Sequence, residues 1–318
     1  MGNAAPSFAD VLEARGRIAP YLRRTPVLTS AALDAATGAA LHFKCENLQH
    51  VGAFKARGAT NAVMALDDDR ARRGVVTHSS GNHGAALAFA ARLRGIPAWI
   101  VMPENAPAAK QANVRAHGGQ IRFCAPNVAA RVAACAEVEA ETGATLVHPF
   151  DDAQVIAGQG TAALELIEDV PDLDAIVAPC GGGGLLSGTA IAAHGTHPGI
   201  AVHGAEPKGA DDAQRSLAAG RLLPQEDPRT IADGLRTSLA ERTFGVLRRE
   251  VAGIATASEA AIVQAMRLAW ESLRVIVEPS SAVPLACLLE GTLDLTGKRV
   301  GVILSGGNVD LDHLPWQA

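Results

Sequence analysis

Short apolar runs separated by longer stretches of helical spacing recur along most of this chain. The runs that predict strands lie at residues 40–44, 75–78, 98–102, 120–124, 145–147, 175–178, 201–204 and 299–304. Predicted helices cover residues 8–19, 54–66, 82–93, 107–117, 128–142 and 155–168, and a short helix starts at residue 30. Short strands between helices are typical of a parallel sheet buried on both faces. The pattern therefore predicts an α/β fold with two doubly wound parallel-sheet lobes.

The two lobes are expected to differ in size. Four of the predicted strands form one parallel sheet, which we assign to a small lobe at residues 69–150. Residues 1–68 and 151–318 on either side supply the large lobe. With 318 residues, 48% of them hydrophobic, the chain is long enough for two lobes with cores of their own. Since no linker rich in Pro, Gly or Ser separates them, we expect short hinges at the two crossings.

Charge and cysteine content narrow the class of protein. The net charge of −5 comes from mixed acidic and basic residues, which create no basic surface for nucleic acid. The N-terminus lacks the basic and apolar regions of a signal peptide, and the apolar runs are too short to span a bilayer. The five cysteines are scattered without Cys-x-x-Cys spacing, which argues against a disulfide framework and a zinc site. We expect a cytoplasmic protein with no nucleic-acid or membrane partner.

The stretch from Glu46 to Ala59 places one lysine, Lys55, between Phe54 and a run of small residues. A lysine amine can act as a Schiff-base nucleophile once desolvation or a nearby cation lowers its pKa. Most lysines in the first turn of a helix are instead solvated. This stretch alone does not decide between the two interpretations.

Four polar or glycine-rich turns follow predicted strands, at the edge where doubly wound sheets bind ligands. The turns are Ser79-Ser80-Gly81-Asn82-His83-Gly84, Gly181-Gly182-Gly183-Gly184-Leu185, Ala205-Glu206-Pro207-Lys208-Gly209-Ala210-Asp211-Asp212 and Ser305-Gly306-Gly307-Asn308. The first is either a donor-rich binding turn or an N-cap that starts a helix. The last either delivers a hydroxyl to the same edge or ends a strand.

The two middle turns suggest specific ligands. The tetraglycine lets several backbone amides approach an anion at a helix N-terminus, so we interpret it as a cradle for a phosphate monoester; a flexible turn is the alternative. A nicotinamide-dependent oxidoreductase would need a Gly-x-Gly-x-x-Gly turn with an acidic partner, which the sequence lacks. Glu206 and Asp212 offer hard oxygen ligands for Mg²⁺, Mn²⁺ or Ca²⁺, and a capped helix start explains them equally well.

Together these motifs resemble the fold-type II pyridoxal-phosphate enzymes, which have a tryptophan synthase β-like fold, and within them the serine/threonine dehydratase and serine racemase group. The matching pieces are Gly52-Ala53-Phe54-Lys55-Ala56-Arg57-Gly58-Ala59, the turn at residues 79–84, His148-Pro149-Phe150-Asp151-Asp152, residues 155–161, the tetraglycine, Thr230-Ile231-Ala232-Asp233-Gly234, Glu278-Pro279-Ser280-Ser281 and residues 305–310. The resemblance implies that the active site lies in the cleft between the lobes, with the cofactor held by the large lobe and the substrate by the small one.

The resemblance also implies roles at the cofactor. Lys55 would hold the aldehyde of pyridoxal 5′-phosphate, Phe54 would pack beside the ring, and Asn82 would bond the phenolic oxygen. Gly181, Gly182, Gly183, Gly184 and the amide of Leu185 would bind the phosphate, and Glu278 would also contact the cofactor. Ser305 would face the pyridine nitrogen. A neutral hydroxyl at that place makes the ring a weaker electron sink, which favours prompt β-elimination over transamination.

The residues implied at the substrate are Ser79, Ser80, Asn82, His83 and Arg131. Ser79 and Asn82 would hold the substrate carboxylate, and Lys55 would remove the α-proton. In racemases the serine that matches Ser80 reprotonates the opposite face, so Ser80 is a second candidate catalytic residue.

The substrate and metal assignments depend on three further features of the sequence. Many racemases and threonine dehydratases have Ser at the position of Ala53, and some members acting on other 3-hydroxy amino acids, including hydroxyaspartate, are expected to share Ala. Arg131 aligns with a small-lobe arginine found near the substrate in some relatives, where a guanidinium can pair with a distal carboxylate; an exposed helix arginine is the alternative. In the racemase-like branch a divalent cation (Mg, Mn or Ca) is bound by residues that match Glu206, the Ala210 carbonyl and Asp212.

The function implied is β-elimination of water from a 3-hydroxy amino acid, namely serine, threonine or 3-hydroxyaspartate, to give a 2-keto acid and ammonia. The alternative is a serine or aspartate-type racemase that uses Lys55 and Ser80 as its two bases. A non-catalytic ligand-binding relative would have lost the lysine, which is present. A homodimer is the expected assembly.

Overall fold

The computed structural model describes residues 4–79, 81–106 and 108–317. Its strands are β1 (Val27–Leu28), β2 (Ala40–Cys45), β3 (Val75–His78), β4 (Ala98–Pro103), β5 (Gln120–Cys124), β6 (Thr145–Leu146), β7 (Ala175–Pro179), β8 (Ala201–Pro207), β9 (Gly253–Ala257) and β10 (Arg299–Leu304). Its helices are α1 (Phe8–Ile18), α2 (Ala31–Thr37), α3 (Lys55–Met64), α4 (Asp68–Arg72), α5 (Asn82–Arg94), α6 (Ala108–Ala116), α7 (Val128–Thr142), α8 (Ala153–Asp169), α9 (Gly184–Thr196), α10 (Asp212–Ala219), α11 (Glu241–Glu250), α12 (Glu259–Leu273) and α13 (Pro279–Glu290).

In the described residues these strands form two sheets. The larger has the order β1-β2-β10-β7-β8-β9, and the smaller has the order β5-β4-β3-β6. All pairings are parallel except that of β1 with β2. The predicted α/β fold with two parallel sheets is therefore confirmed. The edge strand β9, Gly253–Ala257, was not predicted, because its Gly-Ile-Ala-Thr-Ala sequence has few of the β-branched residues that mark a strand.

The large sheet is covered by helices on both faces. Successive side chains of a strand point to opposite faces. On β10, Val300 and Val302 pack with residues of α12 and α13, whereas Ile303 packs with residues of α1, α8 and α9 on the other face. None of the helices in the described ranges has the length and apolar composition needed to cross a membrane.

Helix α3 connects the two sheets. Ala59 and Val63 of α3 lie in the same buried cluster as Val75 of β3, Leu87 of α5 and Val155 of α8. The helix that begins at Lys55 therefore packs directly on elements of the small sheet.

The opposite side of α3 carries a buried ion network. Arg57 is 1% exposed and Glu46 is fully buried. Arg57 Nε donates to Glu46 Oε2 at 2.7 Å, and its Nη1 and Nη2 atoms donate to the two carboxylate oxygens of Glu165 at 2.8 Å each. Lys44 Nζ contacts Glu165 Oε2 at 2.7 Å and donates to the Thr25 carbonyl at 2.7 Å. The network joins the end of β2, α3 and α8.

We predict that Arg57→Met destabilises the protein strongly. Removing one partner of a buried ion pair leaves an uncompensated charge, so the free energy of unfolding should fall by about 3–5 kcal/mol. The matched control is Arg72→Met, because Arg72 pairs with Asp69 on the exposed face of α4. An exposed pair contributes about 1 kcal/mol or less. Denaturant-induced unfolding measures both values, and equal changes in the two variants would contradict the prediction.

Candidate active site

Lys55 lies where the segment before α3 runs beside the end of β10. The Phe54 amide donates to the Ser305 carbonyl at 2.9 Å, and Ala53 forms an isolated β-bridge with Gly306. Lys55 Nζ donates to the Pro149 carbonyl at 2.8 Å and lies 5.1 Å from the Phe54 ring centroid. Burial of the amine lowers the Lys55 pKa to about 8, against an opposing effect of the Glu278 carboxylate. A neutral, nucleophilic amine is therefore accessible near neutral pH.

The tetraglycine turn joins β7 to α9. Gly183 has φ 82°, a left-handed conformation that suits glycine. A Cβ atom at Gly182 would lie 2.3 Å from the Phe150 ring, and one at Gly181 would lie 3.1 Å from the Leu235 Cα. The first amides of a helix have no partner within it, and the helix dipole favours an anion there. The backbone at this turn therefore has room and free amides for a phosphate group, and the phosphate site itself stays a prediction.

Asn82 contacts Glu278, whose amide donates to the carbonyl of Gly306, the residue after Ser305. Asn82 Nδ2, at the start of α5, lies 2.8 Å and 3.1 Å from the two carboxylate oxygens of Glu278. Glu278 is 6% exposed, and burial raises its pKa to about 7. Ser305 is buried at the end of β10. The three predicted cofactor contacts thus lie around the segment that carries Lys55.

The predicted substrate-binding residues differ in their burial and in the contacts that they make. The Ser79 hydroxyl accepts a hydrogen bond from the Gly81 amide at 3.3 Å. His83 is 2% exposed, with Nε2 3.1 Å from the Val147 carbonyl, so its ring is nearly enclosed by protein. Its Nδ1 atom is buried without a partner, and a substrate contact would have to use that atom. Ser80 lies outside the described residues.

Arg131 lies in the first turn of α7. Its Nε donates to the Asn127 carbonyl of its own helix at 3.4 Å, and its side chain is half-buried. The pKa of His78, at the end of β3, is lowered first by burial and then by the charge of Arg131. Arg131 follows β5 in the chain and lies near His78, at the edge of the small sheet where the parallel strands end.

Three residues at the site had no role predicted from the sequence. The Pro149 carbonyl accepts from Lys55, and Phe150 fills the space beside Gly182. His148 Nδ1 accepts from the Asp151 amide at 2.9 Å, and burial lowers the His148 pKa to about 4. The only sequence signal was the His-Pro-Phe motif itself, because a backbone carbonyl has no signature of its own.

The residues predicted to bind a metal lie at the end of β8 and the start of α10. Glu206 and Asp212 are both fully buried. The Glu206 carboxylate accepts from the amides of Ala213 and Gln214 at 3.1 Å and 2.8 Å, and Asp212 Oδ2 accepts from the Leu239 amide at 3.1 Å. Asp212 Oδ1 is buried without a partner. Burial raises the pKa of Glu206 to about 8, and repulsion from the Asp212 carboxylate contributes to this increase. Burial also raises the pKa of Asp212 to about 6.

This arrangement fits a hard divalent cation, which would compensate two buried carboxylates and use the unpartnered oxygen. Ala210 is also fully buried. Over the described ranges, clusters of three or more His, Cys, Asp or Glu side chains suited to a metal do not occur. The predicted ligand set contains only two such side chains, together with a backbone carbonyl, so the absence of larger clusters does not test it.

Known proteins resemble this chain over nearly its whole length. A family model for pyridoxal-phosphate dependent enzymes matches residues 18–306. A "beta-hydroxyaspartate dehydratase" of Paracoccus denitrificans is 54% identical, covering 98% of this chain and 99% of the relative. A "Serine racemase" of Oryza sativa is 50% identical, covering 99% and 94%. The solved structure of maize serine racemase is 48% identical with a TM-score of 0.95, covering 97% and 95%.

The lowered pKa of Lys55 predicts how fast the apoprotein takes up pyridoxal phosphate. Imine formation needs the neutral amine, which is populated above the pKa. The rate should therefore rise with pH, reach half its maximum near pH 8 and level off above about pH 9, whereas an ordinary lysine with a pKa of 10.5 would still be gaining neutral amine there. Glu278→Gln removes the carboxylate that raises this pKa, so its profile should shift to lower pH. The visible absorbance of the bound cofactor, followed from about pH 6.5 to 9.5, measures the rate; a profile still rising at the upper end would contradict the prediction.

Proposed function

This chain belongs to the family of pyridoxal-phosphate-dependent enzymes, and on that premise we propose that it removes water from a 3-hydroxy amino acid, giving a 2-keto acid and ammonia. The observation that carries the proposal is the position of Lys55, whose Nζ donates to the Pro149 carbonyl at 2.8 Å while the preceding residue, Phe54, donates its amide to the Ser305 carbonyl. We propose 3-hydroxyaspartate as the preferred substrate, with serine and threonine as weaker ones. The dehydratase relative named for β-hydroxyaspartate supports this choice.

Different residues of the chain would bind different groups of the cofactor. Pyridoxal phosphate, when bound, supplies an electron sink for the α-carbon of an amino acid joined to it. Lys55 would hold its aldehyde, the amides of the glycine turn its phosphate, Asn82 its phenolic oxygen and Ser305 its pyridine nitrogen. Glu278 and Phe54 would complete the contacts.

Lys55 also suits the role of general base. A base is most effective when its pKa lies near the working pH, and a Lys55 pKa of about 8 meets that condition. Ser79, Asn82 and the first amides of α5 would hold the α-carboxylate, since a helix N-terminus favours an anion. The Nδ1 atom of His83, which has no hydrogen-bond partner in the described residues, would also contact the substrate. Arg131 would pair with the distal carboxylate of hydroxyaspartate, for which its planar guanidinium is suited.

Racemisation is the second candidate function. It requires a base on each face of the α-carbon, and Lys55 and Ser80 would be the two bases. The 50% identity with a protein named serine racemase supports this alternative. We expect it as a side activity of the dehydratase.

Further properties of the protein remain proposals. We propose a homodimer in the cytoplasm, and the five cysteines, all free and buried, agree with a reducing compartment. We also propose that residues 69–150 form a substrate-side domain and that residues 1–68 and 151–318 form the cofactor-binding domain. A divalent cation bound by Glu206, the Ala210 carbonyl and Asp212 is proposed because it would compensate the buried carboxylates.

The test of the function is release of keto acid from L- and D-serine, threonine and the isomers of 3-hydroxyaspartate. Arg131→Ala should lower kcat/KM for hydroxyaspartate by about 10- to 100-fold, because hydrogen bonds to a charged group are lost. Turnover of serine, which has no distal carboxylate, should change little. Lys55→Ala should abolish both turnover and the visible absorbance band.

The control for Arg131 is Arg122→Ala, which removes an exposed arginine of the preceding strand, β5, that pairs with Glu141. It should leave both substrates unaffected. Equal losses for serine and hydroxyaspartate in Arg131→Ala would contradict the distal-carboxylate role. A band that persists in Lys55→Ala would contradict the function itself.

The cation site predicts a metal-dependent stability. Adding Mg²⁺, Mn²⁺ or Ca²⁺ to chelator-treated protein should raise Tm by about 5 °C, because a ligand that binds the folded state stabilises it. Asp212→Asn, which replaces one ligand oxygen, should lose most of the shift. Asp211→Asn is the matched control, since Asp211 pairs with Arg215 at 2.7 Å. An equal Tm shift in both variants would exclude this pair of carboxylates as the site.

A further inference from the structure

The segment that carries Lys55 is registered against the segment after β10 by backbone hydrogen bonds. The Phe54 amide donates to the Ser305 carbonyl, and the Gly307 amide donates to the Gly52 carbonyl, each at 2.9 Å. The next residue of the second segment, Asn308, has no role in the function proposed above. Its side chain nevertheless contacts two elements of the site.

The first contact of Asn308 is with a turn in an unfavourable conformation. Val51 has φ 56° and ψ 11°, and a β-branched residue in the left-handed region is strained. Asn308 Nδ2 donates to the Val51 carbonyl at 2.7 Å. A Cβ atom at Gly52 would lie only 2.5 Å from Asn308 Oδ1, so the amide fits closely against the turn. Asn308 therefore holds in place the strained turn that leads into Phe54 and Lys55.

The second contact is with Asn82. Asn308 Nδ2 also donates to Asn82 Oδ1, at 2.9 Å. Because that oxygen accepts the Asn308 hydrogen, the Asn82 amide is oriented with Nδ2 toward the Glu278 carboxylate. Without the Asn308 donor, Glu278 alone would select which end of the Asn82 amide faces it, and that selection weakens when Glu278 is protonated.

We propose that Asn308 is a positioning residue that fixes the Asn82 amide so that its NH₂ group, rather than its oxygen, faces Glu278 and the phenolic oxygen of the cofactor. The same side chain holds the Val51 turn in place, and this turn leads into the segment that carries Lys55. The inference rests on the proposed function, because it requires pyridoxal phosphate to bind beside Lys55. It adds a residue of the last loop to the groups that prepare the cofactor site.

The test compares Asn308→Asp with the wild-type protein. Aspartate has nearly the same shape as asparagine but has no hydrogen to donate, so a role limited to filling space would survive the change. We expect affinity for pyridoxal phosphate to fall about 3- to 10-fold, the loss expected for one or two hydrogen bonds. The absorbance maximum of the bound cofactor should also shift, because the donor to its phenolic oxygen is no longer fixed.

Two matched variants check the cause. Asn127→Asp makes the same chemical change at the exposed N-cap of α7, where Asn and Asp are equally suited, and should leave affinity and absorbance unchanged. Asn308→Ala, which removes the donor without adding charge, should reproduce the loss of affinity and the absorbance shift. If Asn308→Ala behaves as wild type, the effect of Asn308→Asp is one of charge and the inference is wrong.

The variant Val51→Gly tests the two contacts of Asn308 separately, because glycine relieves the strain of the turn. Combined with Asn308→Asp, it should restore part of the affinity and leave the absorbance shift in place. Complete recovery of both would overturn the role at Asn82. In the apoprotein, amide hydrogen exchange at Phe54 and Gly307 should be faster in Asn308→Asp, a readout independent of cofactor.

Failure of the inference is distinguishable from failure of the proposed function. A wild-type protein that takes up no pyridoxal phosphate would contradict the function. A wild-type protein that binds it with the same affinity and absorbance as Asn308→Asp would contradict the inference alone.

Discussion

The buried ion network around Arg57 is the interaction on which the geometry of the site depends. Arg57 and Lys55 are two residues apart, which places them about 200° apart around α3. When Arg57 is held in the interior by Glu46 and Glu165, Lys55 must point away from that interior, toward Pro149 and the glycine turn. A buried arginine is tolerable only when its donors are paired, so the network allows little rotation of the helix. The direction of the Lys55 amine is thus set by charges that have no role in the proposed chemistry.

Burial then tunes the groups that this geometry brings together. Desolvation disfavours the charged form of every group, so it lowers the pKa of Lys55 to about 8 and raises that of Glu278 to about 7. Lys55 and Glu278 are therefore a neighbouring amine and carboxyl with pKa values close to neutrality. Such pairs are common at catalytic sites. The proposed phosphate position differs, because backbone amides and a helix dipole would bind the anion without a side-chain charge.

We propose that substrate choice depends on residues around this centre, among them Ala53. Ala53 is fully buried and forms a β-bridge with Gly306. A hydroxyl at that position would need a partner in a tightly packed place, because a Cβ at Gly306 would already lie 3.3 Å from the Ala53 Cβ. Arg131 lies in α7, the helix that packs on the small sheet. Ala53 and Arg131 are therefore the two positions at which we propose that the substrate is selected.

The sequence by itself determined the α/β class, the four-stranded sheet and the glycine turn, because strand periodicity and glycine's freedom are local properties. It also identified Lys55, but only the tertiary structure gave that lysine its pKa, since burial is created by residues distant in the chain. The same holds for the Pro149 carbonyl, the link from Asn308 to Asn82 and the unpartnered oxygen of Asp212. Strand order was likewise decided by packing: β10, the last strand, lies between β2 and β7, and no local pattern specifies which strands become neighbours.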